Sequence, residues 1–94
     1  MTVSRINKFT AQAGKGDALV AALREVLPAM KAADGFLSYT ILQGTPDTDA
    51  VAVIEVWDSI EAHKAAAALI PPQDFQKIMP LLASPPAGDY YKSR

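Results

Sequence analysis

Three observations predict an α+β fold with one antiparallel sheet and the element order βαββαβ. Short runs rich in β-branched and aromatic residues stand near both ends and in the middle of the chain. An apolar stripe of helical period follows the first run, and a polar turn joins the two central runs into a hairpin.

Val3 to Thr10 (VSRINKFT) alternates loosely and is bounded by Ala13-Gly-Lys-Gly, which marks a first strand carrying Asn7 and then a turn. From Gly16 onward, Leu19, Leu23, Val26 and Met30 recur at spacings of four, three and four, one stripe down a helix. Pro28 interrupts this helix. It removes a backbone donor and crowds the carbonyl four residues back, so a kink is expected near Arg24. Asp34-Gly35 ends the helix, and Phe36 to Gln43 (FLSYTILQ) forms the second strand. The turn Gly44 to Asp49 (GTPDTD) leads into a third strand, where Val51, Val53, Glu55 and Trp57 share one face and Ala52, Ile54 and Val56 the other. Both faces are largely apolar, so both are expected to be buried.

Asp58 stands where an N-cap belongs, with Glu61 three residues on, which resembles a capping box opening the second helix. That helix is expected to run to about Ile70 and to stop at Pro71-Pro72. A further helical stretch carries Phe75, Ile78, Met79 and Leu82 on one stripe, bent at Pro80, and Asp89 to Ser93 supplies a short last strand. The result is a ferredoxin-like arrangement in one domain, residues 1–94. Its helices cover one face of the sheet, and a second copy of the chain is the simplest cover for the other.

Composition narrows the function classes. Half of the 94 residues are apolar and a fifth are charged, consistent with some apolar surface lying between subunits. The net charge is −1 and the Lys and Arg residues are scattered, which argues against nucleic acid or an anionic membrane surface as a partner. There is no cysteine and one histidine, so thiolate chemistry is excluded and no metal site is expected. Gly14-Lys15-Gly16 lacks the rest of a phosphate loop and reads as a turn. With no signal-peptide core and no long apolar run, a soluble cytoplasmic protein is expected.

The whole chain resembles the antibiotic biosynthesis monooxygenase family of dimeric α/β barrels. The likeness rests on a first strand, AGKG ahead of helix one, DGFLSY entering strand two, VIEVWDSIEAHKAA, and a helix ending in LLASPP. Its strongest part is the run Glu55-x-Trp57-x-Ser59-x-Glu61-Ala62. The resemblance implies a homodimer and, in the monooxygenase members, oxidation of an electron-rich phenol or quinol by dioxygen with neither metal nor flavin. A phenolate gives dioxygen one electron more readily than the neutral phenol does, so such a protein needs chiefly a dry pocket that stabilises the anion.

The same resemblance suggests residue roles, each standing beside a plain packing reading. Trp57 would donate its indole N–H toward substrate or oxygen, or simply close the strand as a core aromatic. His63 lies where some members place a Tyr that contacts the substrate phenol. An imidazole titrating near about pH 6.5 could accept the phenol proton, or merely pack on an Ala-rich helix. Lys77, counted without gaps, falls where those members have an Arg that stabilises anionic oxygen. Asn7 matches the strand-one Asn of the haem-degrading branch. Phe36 and Tyr39 would line a ring-binding cavity or fill the core, and Glu55 would make a structural hydrogen bond.

Departures from the family patterns count too. Val53 stands where polyketide monooxygenases carry an Asn, and Ala66 and Met79 supply neither the second Trp nor the haem-ligating His of the haem degraders. The helix-two His that many members carry ahead of a Pro-His-Phe-like segment is missing, and that segment here is Pro72-Gln73-Asp74-Phe75. Haem is therefore disfavoured and no cofactor is expected. Two classes fit: a cofactor-free monooxygenase acting on a small quinol or polyhydroxyaromatic with dioxygen, and a non-catalytic or stress-related dimer that binds a small apolar ligand on the same scaffold.

Overall fold

A computed structural model describes residues 2–94 of the chain. Strands β1 (Val3–Thr10), β2 (Phe36–Gln43), β3 (Ala50–Trp57) and β4 (Ala87–Tyr91) form one antiparallel sheet in the spatial order β2-β3-β1-β4. Helix α1 (Gly16–Val26) links β1 to β2, while α2 (Ile60–Ala67) and α3 (Pro72–Ile78) lie between β3 and β4. This is the expected ferredoxin-like topology. The last strand begins two residues earlier than anticipated, at Ala87.

Alternation along β3 sorts the sheet into two unlike faces. Val51, Val53, Glu55 and Trp57 are buried against Leu19, Leu23 and Val26 of α1, Ala66 of α2 and Ile78 of α3. Ala52, Ile54 and Val56 are only half-buried, so the expectation that both faces are covered does not hold within one chain. Ile6, Leu42 and Tyr91 share that second face by register, and Leu42 and Tyr91 are exposed.

Helix one changes type after Val26, not near Arg24. The chain tightens into a 3-10 helix over Leu27–Ala32 with Pro28 in its first turn. In that place the missing proline N–H has no intrahelical partner to lose. At the start of α1, Asp49 of the β2–β3 turn accepts from the Gly16 and Gly14 amides at 2.9 and 3.1 Å, which caps the helix from outside. Gly35, at φ +83°, turns the chain into β2 where a side chain would meet Ala62 of α2.

The cap of α2 also lies one residue later than predicted. Ser59, not Asp58, adopts the extended cap conformation, and its Oγ accepts from the Ala62 amide at 3.1 Å. The third helical position is then Ala62, so no carboxylate reaches back and the capping box is absent. The Asp58 amide instead donates to the Gly35 carbonyl at 2.8 Å. Helix α2 ends at Ala67, short of Ile70, because a residue ahead of proline is driven out of the helical region and Pro71 is itself extended. The bend at Pro80 appears as a short 3-10 turn, Met79–Leu81. Among the described residues no helix is long and apolar enough to cross a membrane.

Candidate active site

A cavity of about 200 Å3 lies between the sheet and the helices. Its floor is the buried face of β1 and β3, where Arg5 pairs in register with Glu55 and Asn7 with Val53. Its walls are mostly apolar, with Leu23 and Val26 from α1, Met30 from the following turn, and Phe75 and Ile78 from α3.

At one edge, polar side chains from three elements converge on Glu55, which is 4% exposed. Its carboxylate accepts from Trp57 Nε1 at 3.0 Å and from Asn7 Nδ2 at 2.9 Å. The Asn7 oxygen in turn accepts from Arg5 Nε at 3.1 Å. Burial pushes the Glu55 carboxyl above its ordinary value, against the opposing pull of the Trp57 hydrogen bond, the Arg5 charge and the Asn7 hydrogen bond. Among the described residues no buried side-chain nitrogen or oxygen lacks a partner.

His63 stands one turn into α2, with Nε2 3.7 Å from the Glu55 carboxylate and Nδ1 2.7 Å from the Tyr90 hydroxyl. The first distance is too long for a hydrogen bond but within ion-pair range once the ring is protonated. With its proton on Nδ1, His63 donates to Tyr90 and leaves Nε2 free to accept. With the proton on Nε2, Tyr90 donates to Nδ1. Burial, and after it the Arg5 charge, holds the imidazole below its ordinary value, so the ring is mostly neutral at pH 7. Aromatic edges fix its place: Trp57 lies 5.6 Å away on one side and Tyr90 5.4 Å away on the other, both near perpendicular. The Arg5 guanidinium sits over the Tyr90 ring at 4.7 Å. Gly88 faces Asn7 across β1–β4, and a side chain there would run into the Asn7 oxygen and the Arg5 guanidinium.

Of the residues singled out in the sequence, Asn7, Trp57 and His63 meet at this cavity. The Trp57 N–H is held by Glu55, so it does not point a free donor at a ligand as the resemblance implied. Phe36 packs edge-on behind Trp57 at 5.2 Å and Tyr39 packs on Phe36 at 6.1 Å, so both lie outside the cavity, by a shallow surface recess with Lys31. Lys77 is exposed on α3 and bonds Glu25 of α1 at 2.9 Å, which takes it away from the site. The cation at the polar edge is Arg5. Arg5, Glu55 and Tyr90 form the part of the cluster that sequence reasoning did not assign to the site. For Arg5 a signal was present, since strand alternation puts it on the face of Asn7 and Phe9. Among the described residues no cluster of three or more His, Asp or Glu side chains could hold a metal ion.

No curated protein sequence matches the chain. A solved structure from Chloroflexus aurantiacus J-10-fl, described as a candidate antibiotic biosynthesis monooxygenase, is 32% identical, with a TM-score of 0.74 over 100% of this chain and 96% of that one. SnoaB, described as a cofactor-independent oxygenase from Streptomyces nogalater, superposes with a TM-score of 0.83 at 19% identity, over 99% of this chain and 93% of its own. Rv0793 from Mycobacterium tuberculosis gives 0.79 at 21% identity, over 100% and 96%. Likeness at the identities of these last two speaks to the fold alone. The family model described as antibiotic biosynthesis monooxygenase matches residues 2–77, most of the chain. The chain belongs to the antibiotic biosynthesis monooxygenase family.

Proposed function

We propose that the chain is a cofactor-independent monooxygenase that oxidises a quinol or polyhydroxyaromatic with dioxygen, working in the cytoplasm as a homodimer. The observation that carries this reading is the pairing of an apolar cavity with one polar edge, where a neutral imidazole stands beside a buried carboxylate.

A ring hydroxyl entering that edge gives its proton to His63 Nε2. The imidazolium formed lies 3.7 Å from Glu55, whose negative charge stabilises it in place of water. The phenolate left in an apolar surround transfers an electron to dioxygen, and recombination forms a peroxide on a ring carbon. The peroxide takes back the proton from the imidazolium, and loss of water, breaking the O–O bond and the C–H bond of that carbon, leaves one oxygen on the ring. For a hydroquinone the balance is quinol plus dioxygen giving hydroxyquinone plus water, with all four electrons from the substrate. Trp57 and Asn7 hold the Glu55 carboxylate in position. Dimerisation draws support from the half-buried apolar face of the sheet, which a second copy would cover.

The test is incubation with a hydroquinone panel in air and without it, followed by mass spectrometry for one added oxygen. The wild-type chain is expected to add one labelled atom from dioxygen, and His63→Ala to slow this by roughly 100-fold or more. No oxygenation across the panel, or an undiminished His63→Ala variant, would remove the assignment. A second reading, a dimer that binds a small apolar ligand without turnover, draws on one observation. The Trp57 donor is already engaged by Glu55 and Lys77 by Glu25, so neither is aimed at developing negative charge.

A further inference from the structure

We infer that the cavity selects a lipophilic monocyclic phenol or hydroquinone, seated by one hydroxyl and carrying an alkyl extension out through the opening beside Phe75 and Met79. This rests on the reading of the cavity as the site of oxidation and narrows its substrate class away from polyhydroxylated rings.

Polar side chains reach the cavity at one edge only, from Asn7, Glu55, Trp57 and His63, and its other walls are apolar. There Glu55 accepts from Asn7 and Trp57, Asn7 accepts from Arg5, and His63 Nδ1 meets Tyr90, while His63 Nε2 and the lone pairs left on the Glu55 carboxylate can still bind a hydroxyl. One ring hydroxyl suffices for this edge, donating to His63 Nε2, which lies 3.7 Å from the Glu55 carboxylate. Each further hydroxyl turned toward Leu23, Val26, Met30 or Leu82 finds no polar side chain there, so a trihydroxylated ring is disfavoured more than a hydroquinone. An unpaired hydroxyl of that kind weakens binding by roughly ten- to a hundredfold.

The opposite requirement comes from size and exposure. About 200 Å3 is below the roughly 300 to 1,000 Å3 of typical ligand clefts, so the cavity holds one ring and little else. Phe75 and Met79 both line it, yet they are 44% and 50% exposed, which puts them where it meets solvent. The rim there is apolar rather than charged. An alkyl chain leaving the ring therefore lies against a phenyl and a flexible thioether, and Met adapts readily to such chains. The preference is for a molecule polar at one end, apolar along its length, and longer than the cavity is deep.

The test uses the full chain without oxygen, so that binding is read apart from turnover, with the single indole of Trp57 as the fluorescent probe. Hydroquinone, its 2-methyl, 2-propyl and 2-pentyl derivatives, and 1,2,3-trihydroxybenzene are titrated in turn. Affinity is expected to rise about three- to fourfold for each added methylene over the first few, and the trihydroxybenzene to bind at least roughly tenfold more weakly than 2-propylhydroquinone. Met79→Ser and Phe75→Ser, both at exposed positions, are expected to flatten the dependence on chain length, with folding checked by circular dichroism. A trihydroxybenzene that binds as tightly as the alkyl hydroquinones, affinity indifferent to chain length, or no binding by any member would overturn the inference. The chain-length preference without oxygen uptake in air would remove the oxidation and leave the ligand class standing. Turnover of polyhydroxylated rings with no length dependence would do the reverse.

Discussion

Replacing Glu55 by Gln is the sharpest probe of the polar edge, because it keeps the side chain's shape and alters only its hydrogen bonding. The carboxylate presents two acceptors to two donors, Trp57 Nε1 and Asn7 Nδ2. An amide offers one acceptor and one donor group, so one of these N–H groups must face another N–H. Asn7 cannot escape by turning over, since its oxygen is held by Arg5 Nε at 3.1 Å. One buried donor is left without a partner, which costs about 1 to 3 kcal/mol. Part of this is offset because a charge no longer has to be buried. The pH dependence follows from the direction of the shift. The Glu55 carboxyl titrates above its ordinary 4.5 in the folded chain, so the wild type gains stability from this group below that value and loses it as pH rises through the folded pKa. Gln carries no such term. The destabilisation by Glu55→Gln is therefore larger at pH 4.5 than at pH 7. Urea unfolding followed by Trp57 fluorescence, at one fixed protein concentration, measures it at both. A variant as stable as wild type at both pH values, or a penalty that grows toward neutrality, would refute the reasoning.

Tyr90→Phe removes the hydroxyl 2.7 Å from His63 Nδ1 but keeps the ring between His63 and Arg5, so quinol turnover should fall about tenfold while stability changes by about 0.5 to 1.5 kcal/mol. Steady-state kinetics beside a melt separates the two effects. Lys77→Ala breaks only a solvent-exposed ion pair with Glu25, so it should leave the unfolding midpoint nearly unchanged and turnover within about twofold of wild type. Ile54→Asp puts a charge at the centre of the half-covered sheet face. Light scattering should show a shift from dimer to monomer, and an unchanged dimer would mean that copies meet elsewhere.

The parts of the fold that were legible in the sequence are those set by local periodicity. The two-residue alternation of β3 put Glu55 and Trp57 on one face with Val51 and Val53, and the stripe from Leu19 to Val26 gave α1 its inward side. What was not legible depended on backbone geometry or on distant pairing. Pro28 fits both a kinked α-helix and a change to a 3-10 helix, and only packing decides between them. Asp58 and Ser59 are both good caps, and the choice fell to the Asp58 amide, which is held by Gly35 across the junction. Lys77 was assigned by counting along the chain, but the break between α2 and α3 turns it toward Glu25. Tyr90 reaches His63 only because β4 pairs with β1, a contact between opposite ends of the chain that no local pattern announces.

Gly88 gives the edge strand an unusual hold over chemistry it does not perform. A methyl group at this position would displace the Asn7 oxygen and the Arg5 guanidinium together, and through them the group that secures Glu55. The composition of the cavity's polar edge is thus governed from outside the family-matched stretch 2–77, by a residue with no side chain. Divergence on this scaffold therefore does not require a change among the residues that touch the ligand. A larger residue at this point of the last strand would push the first-strand Asn and Arg side chains aside, and with them the donor that secures Glu55.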